Sequence, residues 1–200
     1  MKSFPLYLLL LLTVMGFTLI AQTDSAPKTN LTICFEMIDS IIIGHVSNID
    51  KSEVKTFSSN LVSDYSIFTN FVSDKFAKLN FSRIDETPIT SNINFVISNI
   101  KVSYSKPKKM SFFGDYSVER NILIEGSFLF TGTKSDLISF DKTYSDVITY
   151  NSIKEVEDMS LPFTKGEIPE VPLFSSILEP AIVVGSAALI VYLFFSVRGK

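Results

Sequence analysis

The stretch from Pro180 to Val197 carries no charged side chain, and it is followed at once by Arg198 and Lys200. At the rise of an α-helix it measures about 27 Å, close to the ~30 Å hydrocarbon core of a bilayer. It reads as one transmembrane helix over 176–197, and the rest of the chain as what that helix holds at a membrane. Ser176 and Glu179 have capping-box spacing, and Pro180 then falls where a first-turn proline is tolerated. Glu167, Glu170 and Glu179 precede the apolar run and two cations follow it, so the short tail 198–200 is expected in the cytoplasm and the bulk of the chain outside.

The opening residues support the same topology. Lys2 precedes an apolar run from Phe4 to Ile20, with Ala21 at a candidate cleavage point and Gln22 as the mature start. Leu19 is bulky for its place in such a site, and an uncleaved signal anchor is the alternative. Both versions export the middle of the chain. The expected organisation is a signal peptide 1–21, a flexible leader 22–30, an extracytoplasmic domain 31–158, a proline-rich stalk 159–175, the membrane helix and the tail.

Composition narrows the function. The net charge is −3, and −4 once Lys2 leaves with the signal, which argues against a nucleic-acid partner. The one cysteine excludes an internal disulfide framework, yet the domain is long enough to bury a core without one. That combination favours a bacterial envelope, with the inner membrane as the location. The sequons Asn30-Leu31-Thr32 and Asn80-Phe81-Ser82 keep a eukaryotic or viral type I glycoprotein as the alternative.

Hydrophobic periodicity outlines an α+β domain. Ile33, Phe35 and Met37 alternate, and Ile41-Ile42-Ile43 before Gly44 reads as a buried strand, with a short helix over 31–39 as the competing reading. Asp50 and Glu53 form a helix start with Ile49 and Val54 as a staple. From Val54 through Phe57, Leu61, Tyr65, Phe68, Val72, Phe76 and Leu79 the spacing is three or four throughout. That predicts one long amphipathic helix, its stripe widened by Val62, Ile67 and Phe71, with a weak point near 58–60. The period then becomes two. Ile93, Phe95 and Ile97 alternate, and Ile100, Val102 and Tyr104 resume in the opposite phase, so a bulge is expected at Ser98-Asn99. Two further alternating runs flank a turn at 131–136, the first carrying Val118, Ile122, Ile124 and Phe128, the second Ile138, Phe140, Tyr144 and Ile148. The predicted fold is an antiparallel sheet with the long helix on one face.

No constellation of catalytic residues stands out. His45 lacks a nucleophile and acid at recognisable spacing, Cys34 sits in an apolar stretch, and one His with one Cys makes no soft-metal cluster. No cofactor, metal or catalytic site is expected. The unusual loop is Lys106, Lys108 and Lys109 followed by Met110, Phe112 and Phe113, a candidate contact for anionic headgroups or a protein partner. Ala181, Gly185 and Ala188 form a small-residue face that would let two membrane helices approach in a homodimer. The function read from these features is a non-enzymatic, single-pass, membrane-anchored binding or scaffold protein of an envelope complex. A carrier of a hydrophobic ligand, such as lipid, is the second reading.

Overall fold

The computed structural model describes residues 26–47, 49, 56–84, 92–109, 114–132 and 135–198. In chain order these form α1 (Asn30–Val46), β1 (Thr56–Ser59), a 3-10 turn (Ser63–Phe68) running into α2 (Thr69–Lys78), β2 (Ser82–Arg83), β3 (Asn92–Tyr104), β4 (Lys108–Lys109), β5 (Tyr116–Thr131) and β6 (Asp136–Thr149). A short α3 (Ile153–Val156), a 3-10 turn (Pro162–Thr164) and α4 (Leu173–Arg198) complete the chain. The architecture is mixed α+β, with one six-stranded sheet.

Three strands do most of the pairing. β5 is flanked along one edge by β3 and then β4, and along the other by β6, all antiparallel. The sheet is not wholly antiparallel: β1 lies parallel to both β2 and β3. The expected slip is present as a register shift between Ile97 and Asn99. It turns Ile93, Phe95, Ile97, Ile100 and Val102 all onto the buried face. At the bulge, Gly126 of β5 faces Phe140 of β6. A Cβ on Gly126 would stand 2.2 Å from the Val96 carbonyl and 2.5 Å from Phe140 Cζ, so only glycine fits.

The helices depart from the sequence reading. The segment read as a strand ending in Ile41-Ile42-Ile43 is the middle of α1. Its buried apolar side chains are Ile33, Cys34, Met37, Ile38, Ile41, Ile42 and Val46, largely a pairwise recurrence every four residues. The alternation of Ile33, Phe35 and Met37 is a subset of that pattern, and Phe35 is only partly buried, packed edge-on to Phe68 and Phe71. Thr29 caps the helix by accepting from the Thr32 N–H at 3.2 Å.

The long helix expected over 54–79 is absent as such. Residues 56–59 are strand, 60–62 link it to the 3-10 turn, and only 69–78 are α-helical. Residues 50–55, with the expected cap and staple, lie outside the described residues. Spacing of three or four fits the buried Tyr65, Phe68, Val72 and Phe76. Phe57 shares that spacing by coincidence: it reaches the core from a strand, stacked on Phe76 at 4.4 Å. Val62 and Ile67 are exposed and do not widen the stripe. α2 ends in a Schellman motif, with Phe81 N–H donating to the Phe76 carbonyl and Asn80 N–H to that of Ala77. Asn80 takes the left-handed conformation there (φ 65°), and the Phe76 and Phe81 rings meet edge to face.

The first part of the segment read as a proline-rich stalk is packed on the domain. Phe163 is buried against Tyr65 and Phe68, with ring centroids 5.5 Å from each, and Thr164 is fully buried. The chain leaves the domain only after Gly166. α4 starts at Leu173 and not at Ser176, so Ser176 and Pro180 lie inside the helix. Among the described residues no helix is long and apolar enough to cross a membrane.

Two predictions follow from this packing. Gly126→Ala should lower stability by about 2 kcal/mol, read as a lower denaturant midpoint at unchanged slope, because backbone must move to admit the methyl group. Burial pushes the Cys34 thiol from 9.0 up to about 12. The stability this represents is full below pH 9 and is lost as pH rises through about 12. A thiol reagent near neutral pH should therefore modify Cys34 only in denaturant.

Candidate functional site

One end of the sheet holds an ionised group where the strand pattern calls for a hydrophobe. β5 runs Val118, Arg120, Ile122, Ile124 along its inner face, and Arg120 is fully buried. A guanidinium in that position must be paired and have its N–H groups satisfied. Asp146, directly opposite on β6, supplies a bidentate partner: Arg120 Nε donates to Oδ1 at 2.8 Å and Nη2 to Oδ2 at 2.5 Å. Nη1 donates to the Lys28 carbonyl at 2.7 Å and to Asn30 Oδ1 at 2.8 Å.

Asn30 carries the network onward. Its amide donates to the Tyr104 hydroxyl at 3.0 Å and to the Thr164 carbonyl at 2.8 Å. Tyr104 donates to Glu157 Oε1 at 3.1 Å, and the same oxygen accepts from the Gly166 N–H at 2.8 Å. Burial pushes the Tyr104 hydroxyl up to about 12, which keeps it a donor to the Glu157 carboxylate. Thr164 Oγ1 accepts from the Asp158 N–H at 3.0 Å and donates to the Leu161 carbonyl at 2.8 Å, closing the last turn. The result is a clasp: the segment entering the domain at Lys28–Asn30 is bonded to the segment leaving it at Thr164–Gly166. The signal in the sequence was Arg120 itself, on the inward phase of an otherwise apolar strand.

The clasp also bears on Asn30 as a sequon. Asn30 is fully buried and both ends of its amide are bonded, so a glycan there is incompatible with this fold. Asn80 is exposed.

The residues singled out by sequence fall in different places. Lys106 and Lys108 are exposed beyond the end of β3, and Lys109 places its ammonium 5.0 Å from the centre of the Tyr116 ring. Met110, Phe112 and Phe113 lie outside the described residues. Ala181, Gly185 and Ala188 share one exposed face of α4, and a Cβ on Gly185 would meet nothing within 4 Å. His45 is used in packing: its ring stacks on Phe128 at 5.0 Å and Nδ1 lies 2.9 Å from the Ile41 carbonyl. The inner sheet face, where a hydrophobic ligand would sit, is occupied by Ile33, Ile38, Ile42, Val72 and Phe76. Cross-strand pairing sets Glu125 opposite Asp141 on the outer face, an apposition that spacing in the sequence did not disclose. Among the described residues no group of three or more His, Cys, Asp or Glu side chains could hold a metal ion.

No protein-family model matches the chain, and no curated protein sequence does. Among solved structures, the rare lipoprotein B from Shewanella oneidensis aligns over 72% of this chain and 96% of its own, with 13% identity and a TM-score of 0.34. A likeness of that size carries no argument about fold or function.

Because Arg120 is fully buried and Asp146 is 27% exposed, the two halves of the pair should respond differently to removal. Asp146→Ala strands a buried cation and should cost about 3–5 kcal/mol in denaturant unfolding. Arg120→Met should cost less, on the order of 1–3 kcal/mol, because the carboxylate can be rehydrated and mainly the Lys28 and Asn30 oxygens lose a donor.

Proposed function

We propose that the protein is a non-enzymatic, single-pass membrane protein of a bacterial envelope. Its α+β domain faces outward and binds or scaffolds a protein partner. The observation that carries this reading is α4. It is a helix of 26 residues following a folded domain, and the apolar side chains described along it are exposed, from Ile182 at 43% to Phe195 at 70%. A helix that is hydrophobic all round has to be buried, in lipid or in protein. In the sequence, the charge-free run from Pro180 to Val197 rises about 27 Å as a helix, close to the ~30 Å hydrocarbon core of a bilayer. Acidic residues before the run and Arg198 and Lys200 after it favour the domain outside and the tail inside.

Two further features support a bacterial envelope over a secreted glycoprotein. The single cysteine is buried and free, and the Asn30 sequon is built into the clasp. The filled inner face favours a partner-binding role over a carrier of lipid.

The test is made on the full chain in its native membrane. Intact protein should resist carbonate extraction, and a version ending at Pro172 should be released, since its core is complete by Phe163. Crosslinking followed by mass spectrometry should recover one reproducible protein partner bound to the domain. Extraction of the intact chain by carbonate would sink the anchor. An anchored chain without a partner would sink the scaffold role.

A further inference from the structure

Three features distant in sequence occupy the same end of the sheet. The first is the entry of the chain at Lys28–Asn30, bonded to Arg120 and Tyr104. The second is its exit toward α4. Gly166 crosses the Tyr104 ring so closely that a Cβ there would stand 2.8 Å from Tyr104 Cε2, and Glu157 holds the Gly166 N–H. The third is the lysine-rich connection, which begins immediately after Tyr104, the last residue of β3. Lys106 lies two residues, at most about 7 Å of chain, from Tyr104, where the outgoing chain is clasped.

The lengths then decide orientation. From Gly166 to the start of α4 at Leu173 is seven residues, at most about 25 Å of chain. From Arg120 to Thr131 the sheet extends eleven residues, about 36 Å, away from that end. A tether shorter than the sheet, attached at the lysine-bearing end, brings that end toward whatever surface α4 enters. Lys106, Lys108 and Lys109 fall within four positions, in a chain of net charge −3; the exposed acids Asp115, Glu119 and Glu155 share that end, and Glu167 and Glu170 lie on the segment leading to α4. Near an anionic surface each lysine strengthens the attraction, on the order of fivefold in partitioning.

We propose that this end of the domain rests on the anionic headgroups of the membrane, with Lys106, Lys108 and Lys109 as the contact and the 131–136 turn pointing away. The proposal builds on the anchoring role of α4. It adds an orientation and a lipid class that anchoring alone does not require.

The experiment uses the full chain reconstituted into vesicles of phosphatidylcholine with or without about 30% phosphatidylglycerol. A single fluorophore is placed at Ser103→Cys near the lysines or at Leu137→Cys at the far end, both exposed positions, with the native Cys34 buried. Energy transfer to an acceptor on the lipid headgroup is the readout. On anionic vesicles, transfer from position 103 should exceed that from 137 at least twofold. The excess should fall when Lys106, Lys108 and Lys109 are changed together to Glu, and in about 0.5 M salt. Equal transfer from both positions, or an excess indifferent to lipid charge, would overturn the lysine contact while the protein still floats with the vesicles. Failure to float with vesicles of either composition would overturn the anchor and the contact together.

Discussion

The pair between Arg120 and Asp146 is the interaction on which the arrangement of this protein depends. Hydrophobic burial holds the sheet to its helices, but burial is indifferent to where the chain enters and leaves. A guanidinium inside the sandwich is not indifferent. It has five N–H groups in a fixed plane, and the desolvation it suffers is offset only if carboxylate and carbonyl oxygens stand where those groups point. β6 places Asp146 opposite Arg120, and the remaining donors recruit the Lys28 carbonyl and Asn30. Asn30 in turn bonds Thr164 and Tyr104. One buried cation thus specifies the positions of two chain segments more than 130 residues apart in sequence.

That clasp gives the molecule a direction. The incoming leader, the outgoing linker and the Lys106–Lys109 segment are gathered at one end by hydrogen bonds and by the close passage of Gly166 over Tyr104. The opposite end carries Phe128, Phe140 and His45 packed together beneath the bulge. The two ends therefore differ in kind, one polar and connected to both halves of the chain beyond, the other aromatic and closed by Gly126. In the role proposed for this protein, a tether at the polar end would leave the aromatic end to face a partner.

Helix and strand proved unequally readable for a physical reason. In β3, β5 and β6 one face is buried and the other wet, so a period of two is imposed residue by residue, and the change of phase at Ser98 had to be a bulge. In the segments 30–46 and 54–79 the apolar residues are dense enough to satisfy both periods. Ile41, Ile42 and Ile43 are β-branched and favour strands locally, yet in α1 two of them pack beneath the helix and Ile43 is left exposed. Phe57 matched a helical spacing and is in a strand, because β2 and β3 offer it backbone partners on both sides. The lysines were legible as an unusual loop, but their relation to the outgoing chain was not.

What the sequence determined by itself is what depends on neighbours along the chain: the alternation of the hairpin, its turn, the bulge, the apolar run from Pro180 to Val197 and the basic stretch after Tyr104. What only the tertiary structure decided is what depends on contacts between distant segments. Whether 30–46 became helix turned on the sheet surface available to it. Whether 161–166 became stalk or core turned on the space beside Tyr65 and Phe68, which Phe163 fills. The role of Arg120 turned on Asp146, Asn30 and Lys28 arriving from two other parts of the chain. Local pattern constrains which face a residue presents, and the energy of burying a charge or an aromatic ring is settled only by what meets it there.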